Sequence, residues 1–263
     1  MEKRVGLTEL IFRSEKRKEL LLFLKDKPRS IYEIQEQLCT DPVSILPQLK
    51  KLKDRKLVIQ KNHTYELSII GKAIVDKMSP LIDTLEVLED NYNYWSRRNF
   101  EGIPKVLRSR IWELKNCKLI RPKLSHMFEL DPEFVENLLL SRKVLGFSSY
   151  FNPSFIPLYL EIAKKETEIS LIVTEPVLKR LKTDHNEDLQ ALVGFEYVNL
   201  SLFPKNSKIA DFTVTDRFFL LTVLPHVKFF EHESLFSSEL QALKWGTDLF
   251  SHMQEEAVQV KEI

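Results

Sequence analysis

The stretch Asp41-Pro42-Val43-Ser44-Ile45-Leu46-Pro47-Gln48-Leu49-Lys50-Lys51-Leu52-Lys53-Asp54-Arg55-Lys56 decides how the first third of the chain folds. Ile45, Leu49 and Leu52 recur at helical spacing, so this segment predicts a helix with one apolar side turned to a core. With those three inside, Ser44, Gln48 and Lys51 fall on another face at i, i+4 and i+7, an outward stripe. Pro47 conflicts with a helix interior, where it would remove a backbone hydrogen bond and crowd the preceding turn at a cost of ~3 kcal/mol. Taking Ser44 as the N-cap eases the conflict, because Pro47 then sits in the first turn, where amide groups lack partners anyway. Asp41–Val43 are then expected in a separate turn.

The flanking segments complete the pattern. Leu57-Val58-Ile59-Gln60 and Thr64-Tyr65-Glu66-Leu67 predict two strands, joined by Lys61-Asn62-His63 as a hairpin tip. Upstream, Cys39-Thr40-Asp41-Pro42 predicts a turn. Ser30 with Glu33 three residues on forms a capping-box pattern for a short helix that turns Ile31, Ile34 and Leu38 inward. Thr8 to Lys25 predicts one longer helix, ended by Pro28. Three helices and a hairpin in this order predict a winged helix-turn-helix, whose third helix enters the major groove of double-stranded DNA. Gln suits bidentate contact with adenine, Lys contacts guanine or phosphate, and Ser serves either kind of group. The candidate DNA contacts are therefore Ser44, Gln48, Lys50, Lys51, Lys53 and Arg55, with Lys61 and His63 on the wing reaching backbone or minor groove. Taken alone, the lysines would read as a solvated face; inside this element order they do not.

Charge is divided along the chain. Residues 1–78 hold 17 Lys and Arg against 11 Asp and Glu, while the remainder holds 22 against 27, so a net charge of +1 conceals a basic head on an acidic body. That asymmetry suits a head that meets phosphate, although a merely solvated face fits the charge equally well. At 263 residues, two domains are favoured over one. The sequence lacks an apolar run of the ~18 residues a spanning helix needs, and the segment after Met1-Glu2-Lys3-Arg4 is too charged for a signal peptide. Cys39 and Cys117 are the two cysteines and are expected as reduced thiols, Cys39 as a buried structural one, which fits a cytoplasmic protein.

Ser68–Lys72 leaves the hairpin and leads to a helix expected over Ala73 to about Asp90, broken or kinked near Pro80. Its apolar stripe, which includes Met78, Leu81, Ile82, Leu85 and Leu88, suits pairing with a second copy or packing within the chain. Two-fold operators favour the homodimer. The domains are expected at 1–78, with a linker and dimerisation helix at 79–94 and an α/β domain at 95–263. Within the last, strands are expected at Cys117–Ile120, Lys143–Tyr150, Ile169–Thr174, Tyr197–Phe203, Ala210–Thr215 and Phe218–Leu224. Helices are expected at Pro132–Leu140, Pro153–Lys165, Pro176–Leu192 and Ser237–Gln254, with a tight turn at Thr215–Phe218.

No catalytic pattern convinces. Only six glycines occur, and none builds a phosphate loop. His226, Glu231, His232 and Glu233 lie close in sequence, but neighbours on a strand point to opposite faces, so no metal is expected. Asp211 and Asp216 could form an acid/base pair, yet a hairpin accounts for both. Tyr150, Phe151, Phe155 and Tyr159 could line an effector pocket, against the commoner explanation of core packing. His126 and His185 lie in unrelated segments. No cofactor and no enzymatic activity are expected; a phosphodiester or nucleotide hydrolase with an accessory nucleic-acid module is the alternative.

Several segments resemble archaeal winged-helix regulators of the methanogenesis-regulatory (Fil-type) family. They are Ser14–Leu21, Leu46–Leu52, Tyr94-Trp95, Gly102-Ile103-Pro104, Val144–Pro153, Ser170–Thr174, Val214–Phe218 and Leu243-Lys244-Trp245-Gly246, covering about residues 7 to 252. The resemblance implies a transcriptional regulator with an effector or partner domain and no known reaction. The α/β domain also looks like a degenerate half of a phospholipase-D-type fold. That fold's active site needs a His-x-Lys pair, and Asn206-Ser207-Lys208 has asparagine in the histidine's place.

Overall fold

The computed structural model describes residues 6–121, 130–226 and 233–260. By its contacts the chain divides into two compact units, Met1–Ile82 and Asp83–Ile263.

The first unit runs α1 (Leu7–Phe12), α2 (Glu15–Phe23), β1 (Arg29–Ser30), α3 (Ile31–Gln37), α4 (Pro42–Asp54), β2 (Val58–Lys61) and β3 (Thr64–Leu67), then enters α5 (Ile69–Asp90). The single helix expected over Thr8–Lys25 is two helices, because the chain turns extended at Ser14, the N-cap of α2. The capping box of α3 is formed: Ser30 Oγ accepts from the Glu33 amide and Glu33 Oε2 accepts from the Ser30 amide. Such a box contributes about 1 kcal/mol. The hairpin pairs Lys61 with Thr64, so Lys61 belongs to β2 and the tip is Asn62-His63 alone. Both tip residues adopt positive φ (44° and 65°), the two-residue turn that matches strand twist. β1 adds to the other edge of β3. One core of Leu20, Leu21, Ile34, Ile45, Leu49 and Leu52 joins the helices to the hairpin.

α5 begins four residues before the expected Ala73, since Ser68 Oγ accepts from the Gly71 amide. A Cβ on Gly71 would lie 2.1 Å from the Leu57 carbonyl oxygen, so only glycine allows α5 to start this close to β2. The helix continues unbroken through Pro80, contrary to the expected interruption. Val75, Met78 and Ile82 hold its first part in one core and Val87 its last part in another, and this packing outweighs the proline's penalty.

The second unit opens with α6 (Tyr92–Arg97), a 3₁₀ turn at Phe100–Gly102, α7 (Lys105–Arg108) and a second such turn at Ile111–Leu114. It continues β4 (Lys118–Ile120), α8 (Pro132–Leu139), β5 (Lys143–Ser148), α9 (Phe155–Ala163), β6 (Glu168–Thr174), α10 (Glu175–Asp184) and α11 (Asn186–Val193). β7 (Val198–Phe203), β8 (Ile209–Thr215), β9 (Phe219–Val223), β10 (Ser234–Ser237), α12 (Leu240–Glu256) and β11 (Val258–Gln259) complete it. Among the described residues the strands form one sheet ordered β11-β7-β6-β5-β8-β9-β10-β4. β5, β6 and β7 pair in parallel and the other neighbours antiparallel. α8 to α11 cover one face of the sheet, while α12 with Tyr94, Trp95 and Leu107 covers the other. The mixed α/β class is as expected.

Three expectations here need correction. Pro176–Leu192 is two helices, because the chain leaves helical geometry at His185, between Asp184 and Asn186. Ser234–Ser237 is a strand, so the last helix starts at Leu240 and not at Ser237. Cys39, expected as a buried thiol, is exposed with φ 44°, and both cysteines are free. Burial pushes the Cys117 thiol up to about 12.

Candidate nucleic-acid interface and ligand cavity

α4 is capped one turn earlier than the sequence suggested. Asp41 Oδ1 accepts from the Ser44 amide at 2.7 Å and Pro42 takes the first helical position, so Asp41 and not Ser44 is the N-cap. This pairing wins because proline's missing amide costs nothing at the first position and its fixed φ suits it. Pro47 therefore does lie inside the helix. It is exposed, so the carbonyl it leaves without an amide partner stands on the solvent side.

The shift in cap does not move the core. Ile45, Leu49 and Leu52 are buried as expected. The face opposite them carries Val43, which is 84 % exposed, with Pro47, Lys50 and Lys51 exposed around it. Ser44 and Gln48 do not belong to that outer face. Both are half-buried and bonded to α2: Lys16 Nζ donates to Ser44 Oγ, and Arg17 Nη1 donates to Gln48 Oε1 at 2.6 Å. The expected outward stripe is thus split, with Lys51 on the outside and the other two on the flank, because α2 packs beside α4 at that side. Arg17 is itself buried and also donates from Nε to the Leu10 carbonyl.

The remaining candidates spread from α4 to the hairpin. Lys53 Nζ donates to Gln60 Oε1 at 2.7 Å and lies 5.9 Å from the Tyr65 ring centroid, which ties the end of α4 to β2 and β3. Arg55 is half-buried and forms the C-cap of α4. Lys61 is exposed and pairs with Glu66 at 2.5 Å, and His63 stands exposed at the tip. Exposed pairs of this kind add little stability, so the ammonium of Lys61 can exchange its partner at small cost.

In the second unit, Tyr150, Phe151, Phe155 and Tyr159 all line one cavity, near the carboxyl ends of β5 and β6 on the side covered by α9 and α11. The cavity holds about 630 Å³ of space between atoms, part of it open to solvent. Mixed open sheets commonly bind ligands outside the carboxyl ends of parallel strands. Asp211 and Thr213 on β8 also line it, where they pair across the ladder with Ser148 and Gly146. A Cβ on Gly146 would lie 3.1 Å from the Tyr159 hydroxyl, so this glycine makes room for the phenol. Burial raises the hydroxyls of Tyr150 and Tyr159 above the ordinary phenol range, and it pushes the Asp211 carboxyl up to about 7 despite a bond from Thr222.

Asp211 is the residue whose place in the cavity the sequence did not announce. Its signal was Asp211-x-Thr213-x-Thr215, polar side chains at every second place in a strand buried throughout. Asp216 sits in the turn between β8 and β9, and its Oδ1 accepts from the amides of Arg142 and Lys143, which ties that turn to the start of β5. The turn itself is closed by Thr215 Oγ1, which accepts from the Arg217 and Phe218 amides. Asn206-Ser207-Lys208 lies between β7 and β8, with Lys208 Nζ 2.9 Å from Glu101. Among the described residues no cluster of metal-ligating side chains occurs. His126, Glu231 and His232 lie outside them. No described helix is long and apolar enough to cross a membrane.

No curated protein matches the chain. Among solved structures, the archaeal chromatin protein TrmBL2, which shows a novel mode of DNA binding, aligns at 13 % identity over 97 % of this chain and 98 % of its own, with a TM-score of 0.45. Nuc from Salmonella typhimurium, a phospholipase D family member, aligns at 8 % identity over 49 % and 88 %, with a TM-score of 0.37. Two family profiles match directly. The N-terminal domain of the methanogenesis regulatory protein FilR1 matches residues 7–86, and the middle domain of the same protein matches residues 127–256. The chain belongs to the family of the methanogenesis regulatory protein FilR1.

Proposed function

We propose that this chain is a sequence-specific DNA-binding transcriptional regulator that acts in the cytoplasm as a homodimer and answers to a small molecule through its C-terminal unit. Residues 1–78 form a winged helix-turn-helix, 79–94 the linker and dimerisation helix, and 95–263 the sensor. The observation that carries this reading is the outer face of α4. A capped helix, seated on a core by Ile45, Leu49 and Leu52, leaves Val43, Pro47, Lys50 and Lys51 to solvent beside a two-residue hairpin tip. Family membership and the basic balance of the first 78 residues support it.

In this reading α4 lies in the major groove. Lys50 and Lys51 meet phosphate or guanine, and Val43 and Pro47 offer apolar surface to thymine methyl groups. Lys53, Arg55, Lys61 and His63 follow the backbone. Ser44 and Gln48 reach bases only by giving up their bonds to Lys16 and Arg17, so their first role is to fix the angle of α4. For the dimer, Leu81 and Leu85 stand one turn apart on α5 and are 52 % and 49 % exposed, a face that a second copy would cover. The cavity around Tyr150, Phe151, Phe155 and Tyr159 is the effector site. An effector changes DNA affinity only if it binds two states of the protein unequally.

The test is a titration of the full chain on a duplex from its own upstream region against a shuffled duplex of equal composition. Preference for the native duplex, falling with salt, is the expected result. Equal, salt-insensitive binding to both, or none, overturns the reading.

A further inference from the structure

The cavity of the second unit has an unusual chemistry for a hydrophobic core. Its lining is mostly aromatic and aliphatic, from Tyr159, Phe155, Leu171 and Leu200 among others, with Ser148, Asn152 and Thr213 as neutral polar members, yet one carboxyl, Asp211, also lines it. Asp211 is buried, and the Thr222 hydroxyl donates to it. Among the described residues that line the cavity, none is a lysine, arginine or histidine. A cation at the rim is Arg180, whose guanidinium lies 4.4 Å from the Phe151 ring and is paired with Asp184 at 2.7 Å. His185 also stands against Phe151, its ring 5.8 Å away and its Nδ1 3.5 Å from Asp188. Neither lines the cavity.

A buried carboxyl without a cation is costly, and a valine at this strand position would pack without that cost. The polar choice extends along the same face: Thr213 follows on β8, and on β9 Thr222 shares a 2.7 Å bond with Ser234. A register shift between Ile209 and Asp211 falls beside it, a bulge of the kind that re-aims side chains near sites. The hydroxyl of Tyr159, for which Gly146 leaves room, adds a further polar atom to the lining.

We propose that this cavity binds a small lipophilic amine, its apolar body among the aromatic walls and its ammonium group donating to Asp211. The ligand brings the positive charge that the protein leaves out, and the rings of Tyr150, Phe155 and Tyr159 favour a cation near their faces. Once ionised, the same carboxyl repels anions, so carboxylates and phosphates are disfavoured against an amine at pH 7.5. This inference rests on the reading of the C-terminal unit as the sensor, and it supplies that reading's ligand class.

The experiment is calorimetry on the full chain, without DNA, at pH 7.5. The probes are 2-phenylethylamine and hexylamine, with 2-phenylethanol and phenylacetate as isosteric controls. An amine is expected to bind at least tenfold more tightly than the alcohol, and phenylacetate not at all. Asp211→Asn, of the same size, should erase the preference for the amine and leave the alcohol within threefold. Failure of both amines, equal binding of phenylacetate, or an amine preference that survives Asp211→Asn overturns the inference. The wild-type ranking decides the matter alone if the variant does not fold. A failure here leaves the DNA titration untouched. Amine binding without any change in DNA affinity would keep the ligand and dismiss its role as effector.

Discussion

Arg17 and Gln48 are joined at 2.6 Å, from the guanidinium Nη1 on α2 to the amide oxygen on α4. A residue that looks made to read adenine is thereby used to hold the helix that carries it. Arg17 is only 9 % exposed, so its charge depends on the acceptors around it. Gln48→Ala should destabilise the N-terminal unit by about 1–3 kcal/mol, the range for stranding a buried donor. A chemical denaturation midpoint measures this. An unchanged midpoint with altered base preference would instead place Gln48 in readout.

The wing tip sets stability against contact. His63 holds φ 65°, a region that costs a non-glycine residue about 1 kcal/mol, and asparagine followed by glycine is the favoured pair for such a turn. His63→Gly should therefore raise stability by up to about 1 kcal/mol and weaken DNA binding on every sequence alike. Thermal melts and duplex titrations check the two halves separately. A gain in both would show that the tip does not touch DNA.

Asp211 makes the second unit sensitive to pH. Burial places its folded-state value at about 7, above the ordinary carboxylate value of 3.8. The folded chain therefore keeps a proton that the unfolded chain has lost. The stability tied to that proton is complete below about pH 4 and is lost as pH rises through 7. Asp211→Asn should raise the unfolding free energy of this unit at pH 8 by at most about 4 kcal/mol, read as a higher urea midpoint, and change it little at pH 4. A benefit equal at both values would mean that Asp211 is ordinarily ionised in the fold.

Much of this was legible from local rules. Ser30 and Glu33 announced their capping box, Lys61-Asn62-His63 marked the hairpin one residue too wide, and Ile45, Leu49 and Leu52 gave the buried side of α4. The failures were local competitions. Asp41-Pro42 is a better helix start than Ser44, and accepting Pro47 on a solvent face settled the matter. Ser14 and His185 interrupt helices at polar residues that amphipathic spacing alone passes over. Ser237 resembles a cap but ends a strand. The aromatic residues of the cavity could be named from sequence, whereas Asp211 could not, since a strand aspartate near a hairpin has a simpler explanation until its burial is seen. The flanking of Gln48 by α2 was equally hidden, because helical spacing orders one helix and says nothing of its neighbour.

Whether the outward face of α4 meets DNA is decided by the salt dependence of binding. Each phosphate neutralised contributes about 0.9 to the slope of log K against log salt. Lys50→Ala and Lys51→Ala, compared with the wild-type chain on one duplex, should each flatten that slope by up to about one unit and bind more weakly at low salt. Slopes identical to wild type in both variants would mean that this face never meets DNA.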